Sequence, residues 1–239
     1  MKFYKADLHI HTVLSPCASL EMGPKNIIAT ALQKNLNIIA ITDHNAVYNC
    51  KAAIELSKEY DILVIPGIEI NISDVHYLAY FPDYITAEMF QNYINKYIPK
   101  IVNDVYRIGY QLIVDKDENI LNEFPWLLIS SLNTDIYNIS KEIKRNKGIL
   151  IPAHIDREAY SILNVLGFIP DDLDIDGIEI SSKKNFDYYK SKFGNLPFLN
   201  SSDAHQLEDI GKNYTLIEMV EKNYYSFYEA LKNNKLLIE

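Results

Sequence analysis

Cysteine is almost missing from this chain. Cys17 and Cys50 are its only two among 239 residues. They are too few for a disulfide framework and too far apart for a Cys-rich structural zinc site. Basic residues are the minority charge: 23 Lys and Arg stand against 32 Asp and Glu, a formal net charge of -9. A chain that lives on nucleic-acid phosphates carries a basic surface, so bulk charge does not indicate that class, although a local basic patch stays open. Long apolar runs are also lacking, and none approaches the roughly 18 residues of a membrane span. The opening MKFYKADLHIHT has neither the apolar stretch nor the small-residue cleavage site of a secretory leader. These absences predict a cytoplasmic protein with reduced thiols and no membrane partner. No internal repeat or low-complexity tract is evident, and oligomeric state is not readable.

What is present is ordinary for a soluble globular protein: 48% hydrophobic and 23% charged residues. The length is ample for a buried core, and one domain over 1–239 is expected. Short apolar runs read as strands at 6–10, 36–42, 61–70, 76–81, 148–154, 175–181, 196–205 and 213–219. Most are near-continuous Ile, Leu and Val, the pattern of strands covered on both faces. Helical spacing fills 23–35, 49–60, 134–148 and 221–234, the third closing on Lys, Arg and Gly. Alternation of this kind predicts an α/β protein with a largely parallel sheet. Residues 85–133 break the rhythm and read as an insertion. A Tyr- and Ile-rich helical stretch, EMFQNYINKYIPKIVNDVYRIG, precedes two strand-like runs around the polar turn DKDEN. Its tyrosines either present aromatics to a base or sugar or bury themselves against Ile under an amphipathic lid.

The six histidines are not scattered. His9 and His11 lie in and after the first strand, and His44 follows the second in TDHN. Glu69 ends the third strand in PGIEI, and His76 begins the fourth. His154 ends the strand from 148, while Asp203 and His205 follow the strand from 196 in SSDAH. In parallel α/β folds, function collects at the carboxyl ends of strands. Residues i and i+2 on a strand share a face, so HxH and DxH can each direct two donors at one ion. A lone histidine in a core is more often a satisfied side chain than a ligand, but several short motifs at one position point to a metal centre. The imidazole-rich set suits Zn²⁺, Mn²⁺ or Fe²⁺ rather than Mg²⁺ or Ca²⁺. There are too many donors for one ion, which fits the polynuclear sites of phosphate-ester hydrolysis.

DLHIHT, ITDHN, PGIEI with the following His, PAHIDR and SSDAH, in that order over residues 5 to about 215, resemble the PHP (polymerase and histidinol phosphatase) family. The resemblance implies a distorted (β/α)7 TIM-like barrel and metal-dependent phosphoester hydrolysis, with two or three divalent metal ions at the carboxyl ends of the strands. By position it implies one metal on His9, His11, Glu69 and Asp203, and a second on Glu69, His76 and His154. It implies a third on His44 and His205, with Cys17 where relatives carry His or a carboxylate. A thiolate at Cys17 would favour Zn²⁺ or Fe²⁺; the alternative is an unliganded loop thiol. Cys50 reads as helix packing. The SPC segment and the placement of His76 look more like the small stand-alone phosphoesterases than polymerase-attached modules.

The reaction so implied is attack by a metal-bridging hydroxide on a small phosphorylated substrate, such as a nucleotide, a short oligonucleotide or a sugar or metabolite phosphate. No duplex nucleic acid is expected. Asp43 would orient a ligand or take a proton from the incoming water, or else cap its loop. Arg157 would grip a phosphate, or else form a surface ion pair with Asp156 or Glu158. Lys183 is a second candidate for the phosphate. Two rivals remain: an amidohydrolase-type enzyme, which also opens with HxH, and a non-catalytic metal-binding regulatory module.

Overall fold

A computed structural model describes residues 1–238. Its strands are β1 (Lys2–Ile10), β2 (Ile38–Ile41), β3 (Leu63–Ile72), β4 (Val75–Tyr80), β5 (Leu112–Val114), β6 (Ile120–Glu123), β7 (Ile149–Pro152), β8 (Ile178–Ile180), β9 (Phe198–Asn200), β10 (Thr215–Met219) and β11 (Leu236–Leu237). Its helices are α1 (Pro24–Gln33), α2 (Cys50–Ser57), α3 (Tyr84–Ile94), α4 (Ile136–Arg145), α5 (Ile162–Leu166), α6 (Phe186–Phe193) and α7 (Tyr224–Lys232). Seven strands form one curled sheet in the order β11-β10-β1-β2-β3-β4-β7. The parallel pair β8-β9 continues the curl beyond β7. Ile155 N donates to Glu179 O at 2.9 Å on one side, and Ala204 exchanges backbone bonds with His9 and His11 on the other. The result is a distorted seven-strand ring, β1-β2-β3-β4-β7-β8-β9, in which the β8-β9 pair is joined to β7 and to β1 by a few isolated backbone hydrogen bonds rather than full ladders.

The sheet is mixed, not largely parallel. β1, β2 and β3 are parallel, but β4 is antiparallel to both β3 and β7, and β10 is antiparallel to β1. The cause is local. β3 turns directly into β4 at Ser73 and Asp74, which both sit in the left-handed region at φ 51° and 59°. Two such residues are what a tight hairpin whose twist matches its strands requires. The hairpin has a functional effect: it brings the first residues of β4 to the carboxyl end of β3.

Strand alternation divides the buried residues into two clusters. Ala6, Leu8, Ile38, Ala40, Ile65, Leu78, Ile149 and Ile151 pack together with α7, whose Phe227 and Leu231 join them. Ile39, Ile41, Val64, Ile68 and Ile70 point the other way, against α1, α2 and α3. Each such fully buried Ile or Leu contributes about 1.5–3 kcal/mol. The β1-β2 register shifts between Asp7 and Ile10, so the regular alternation is interrupted where His9 begins the site.

The insertion is less helical than expected. α3 ends at Ile94, a single 3₁₀ turn follows to Tyr97, and Ile98 is extended at ψ 121°. Pro99 explains this: the residue before proline is driven out of the helical region. The hairpin β5-β6 does form around DKDEN, where the Asp115 carboxylate accepts from Asp117 N and Asn119 N at 2.9 Å each. At the end of α4 the left-handed residue is Lys147, not Gly148. Among the described residues no helix is long and apolar enough to cross a membrane.

Candidate metal centre

The ends of β1, β2, β3 and β7, the start of β4 and the loop after β9 place every histidine around one carboxylate. Glu69 is buried, and its oxygens lie 3.3 Å from both His9 Nε2 and His11 Nε2. They lie 3.0 Å from His44 Nδ1, 2.9 Å from His76 Nδ1 and 3.2 Å from His154 Nε2. Asp203 Oδ1 stands 3.2 Å from His9 Nε2 and 3.1 Å from His11 Nε2. The His205 ring stacks on His11 with centroids 4.2 Å apart. Three groups of donors converge closely enough to hold an ion: His9, His11, Glu69 and Asp203; His44, Glu69 and His76; and His11, His44 and His205. The first is the set expected from the motifs. In the second His44 stands where His154 was expected, although His154 also reaches Glu69. In the third His11 takes the place of Cys17. Cys17 is exposed, lines the cleft mouth and reaches the His44 side chain.

The electrostatics are those of a cation site. Burial opposes charge on His9, yet Asp203, Glu179 and Glu69 together hold it well above its usual range. Against the same burial penalty, His11 is raised to about 9 by Asp203 and Glu69, and His44 to about 9 chiefly by Glu69. Burial lowers His76, and burial with the neighbouring His11 charge takes His205 down to about 3. Glu69 and Asp203, despite their burial, are held well below the carboxylate range by the imidazoles. Protons therefore stand in for cations. Glu69 Oε2, His44 Nδ1 and His154 Nδ1 are buried with no properly angled hydrogen bond, even where the distance is short. Donors that crowd a point with some of their atoms left unbonded fit a metal cluster, and the imidazole–carboxylate set suits divalent transition ions.

The surrounding shell fixes which ring nitrogen faces inward. Asp43 does not face the cleft, which corrects its expected role beside the reacting water. Its carboxylate is saturated by Thr12 N, Thr12 Oγ1 and Ser15 Oγ, each at 2.7 Å. Because Ser15 Oγ donates to Asp43, it must accept from His11 Nδ1 at 3.0 Å, leaving His11 Nε2 as the free donor atom. Asp43 is thus a positioning residue for the loop after β1. Arg157 lines the cleft, but its guanidinium pairs with Asp203, not with Asp156 or Glu158. Asp156 instead accepts from Ser181 N, Ser182 N and Asn185 Nδ2, tying the loop after β7 to the loop after β8. Lys183 lies in that second loop and does not line the cleft.

Three important residues were not legible as site residues. Glu179, buried in β8, accepts from His9 Nδ1 at 3.1 Å and from His154 N at 3.0 Å through one oxygen. A signal for it exists: GIEI occurs twice, at 67–70 and at 177–180, and both glutamates are buried at the centre. Asp7, raised to about 6 by burial, accepts from Ser202 N, Ser202 Oγ and Gly211 N and anchors the loop carrying Asp203 and His205. Tyr160, at φ 57°, stacks on His76 with centroids 4.5 Å apart, donates no structural bond from its ring and is 48% exposed at the cleft. The cleft itself has a volume of about 330 Å³.

A PHP domain model matches residues 7–170, and a PHP-associated model matches residues 189–236. The uncharacterized protein MJ1587 of Methanocaldococcus jannaschii is 35% identical over 86 residues, covering 32% of this chain and 50% of its own. The uncharacterized protein YqxK of Bacillus subtilis is 23% identical across 97% of this chain and 62% of its own. Among solved structures, the lesion-specific endonuclease Q of Pyrococcus furiosus superposes with a TM-score of 0.71 at 20% identity, over 97% of this chain and 56% of that one. Endonuclease Q bound to a 27-mer duplex with an abasic lesion at its active site superposes equally well, at 18% identity. A two-domain protein of Bacteroides vulgatus containing a PHP-like metal-dependent phosphoesterase gives 0.63 at 17%. The chain spans about half to three-fifths of the length of these relatives. The neighbours correct one expectation: the small phosphorylated partner, with duplex nucleic acid set aside, gives way, because the two neighbours at TM-score 0.71 are endonucleases, one of them seen on duplex DNA.

Proposed function

The chain belongs to the PHP domain family and is a metal-dependent phosphoester hydrolase, and from that premise we propose that it cleaves phosphodiester bonds of duplex nucleic acid at damaged or distorted positions. The observation that carries this reading is the depth of the site. Glu69 and His154, which line a cleft of about 330 Å³, are almost completely buried, and His9 and His11 beside Glu69 are buried fully. Such a cleft suits one small ligand, and an intact duplex is far too wide to enter it. A nucleotide must leave the stack to reach the bottom, and that costs least where the base is missing or mispaired. The likeness to endonuclease Q supports the same substrate class.

The proposed ligands are His9, His11, Glu69 and Asp203 for one ion and Glu69, His76 and His154 with His44 for another. A third ion would lie between His44, His11 and His205, with Cys17 at its edge. Bound divalent ions would supply Lewis acidity toward the phosphoryl oxygens and the attacking water. The chain's own residues do the rest. Ser15 and Glu179 hold the rings of His11 and His9 with Nε2 facing inward. Arg157, held at the cleft by Asp203, presents a planar cation suited to a phosphate. Tyr160 offers its exposed ring as a surface for the sugar or base of the extruded nucleotide, and Ile129 adds an apolar side chain to the lining.

The test uses the full chain loaded with Mn²⁺ or Zn²⁺, on labelled duplexes with and without one abasic site, on single strands, on bis(4-nitrophenyl) phosphate and on the monoester 4-nitrophenyl phosphate. Cleavage at the lesion, lost in His9→Ala and Glu69→Gln, is the expected result. Turnover of phosphomonoesters with no cleavage of any duplex would reject the substrate class.

A further inference from the structure

An acidic chain that works on nucleic acid needs somewhere for the phosphates to rest. Four of its 23 basic residues fall within 183–192: Lys183, Lys184, Lys190 and Lys192, against the single acid Asp187. The segment starts at the carboxyl end of β8, the end that faces the site. Asp156 binds Ser181 N, Ser182 N and Asn185 Nδ2, so Lys183 and Lys184 follow directly from a knot with the loop that carries His154 and Arg157. α6 then leads away from the cleft.

The helix has an inner and an outer face. Phe186, Tyr189 and Phe193 pack partly buried against the core, and no residue of α6 is fully buried. Lys184, in the 3₁₀ turn just before α6, and Tyr188 and Lys192, one turn apart on α6, are all exposed. Lys192 Nζ lies over the Tyr188 ring, 4.3 Å from its centroid.

What marks these lysines is that they cluster beside the site without acidic partners. Lys25, Lys144, Lys212, Lys222 and Lys235 each pair with a carboxylate. Among the described residues none of the four lysines of 183–192 does. Lys190 meets the Gly194 carbonyl and Lys192 the Tyr188 hydroxyl, both neutral. In a chain of net charge -9 this leaves a local group of unpaired positive charge that begins at the carboxyl end of β8, beside the site.

We propose that Lys183 and Lys184, with Tyr188 and Lys192 on α6, form a tracking surface for the phosphate backbone of a duplex whose one extruded nucleotide occupies the cleft. This rests on the nucleic-acid reading above. Phosphate contacts of this kind set orientation and are indifferent to sequence. They are also strongly salt-dependent, each contributing about 0.9 to the slope of log affinity against log salt.

The experiment measures kcat/KM for cleavage of a duplex with one abasic site over a series of salt concentrations, with the metal-loaded full chain. Lys184→Glu/Lys192→Glu is compared with wild type and with Lys184→Arg/Lys192→Arg, and thermal unfolding checks that all three are folded. The charge reversal is expected to cut kcat/KM about tenfold or more at moderate salt, mainly through KM. It is expected to flatten the salt slope by about one per lysine removed, while the arginine variant matches wild type. An unchanged slope and KM in the charge reversal, with wild type cleaving normally, would overturn the tracking surface and leave the substrate class standing. Wild-type hydrolysis of bis(4-nitrophenyl) phosphate without cleavage of any duplex would reject the substrate class and the surface with it.

Discussion

At the scale of single residues, the centre depends on groups that never meet an ion. Glu179 accepts from His9 and from the His154 backbone through the same oxygen. In Glu179→Gln the amide oxygen can keep both bonds while the charge is lost, so the substitution isolates the charge. Metal affinity should fall about 10–100-fold with the fold intact; a metal titration that leaves affinity unmoved would assign Glu179 to packing alone. Protons make a second prediction. In metal-free protein His11 and His44 titrate near 9 rather than 6.5. A raised imidazole stabilises the fold fully below its unfolded value and stops doing so above its folded value. The chelated protein should therefore lose stability as pH rises from about 6.5 to about 9, read by thermal unfolding across that range, and added metal should suppress the loss. The ligand candidates were legible because HxH, TDH and DxH carry their spacing in the chain. Asp43 was named with its role left open between orienting a ligand, taking a proton and capping its loop, and Glu179 was missed, since whether a carboxylate faces the cleft or turns behind a ligand depends on partners 31 and 170 residues away.

At the scale of elements, the sequence showed where strands and helices lie better than which way they run. His76 was read at the start of a strand, and it is, but it reaches the site only because the Ser73–Asp74 turn makes β4 antiparallel. Runs of Ile and Val report burial, not direction. The 88–109 stretch had helical spacing throughout, yet a single proline at 99 outweighs it after Tyr97. The insertion also braces the SPC loop. Gly109, at φ 126°, has its Cα against the Pro16 carbonyl, where any Cβ would collide with backbone. Leu112 N donates to Val13 O at 2.9 Å beside it. Gly109→Ala should cost about 2 kcal/mol or more and lower the unfolding midpoint, whereas Gly167→Ala, whose Cβ would meet open space, should cost only the strain of its positive φ. Equal losses in the two variants would show that the Pro16 contact does not matter.

At the scale of the whole molecule, the ring is ladder-bonded from β1 through β7, while the β8-β9 pair is only stapled to β7 on one side and to β1 on the other. Asp203 and His205 lie just past β9, while Glu69 stands on the continuous side. Any ion bound by both Glu69 and Asp203 therefore spans the seam. Chelation should lower the unfolding midpoint by roughly 5–10 °C relative to protein at a hundredfold excess of metal over its dissociation constant. A midpoint indifferent to chelator would mean that the ions add nothing to the fold. The seam also gives the metal centre a second character. A barrel of this design behaves as a bracelet with a clasp, and the ions are the rivet that shuts it. Backbone amides of residues 176–205 should exchange with solvent soon after the rivet is drawn, while those of β2 and β3 keep their protection; the chemistry and the closure of the fold would then be lost and regained together.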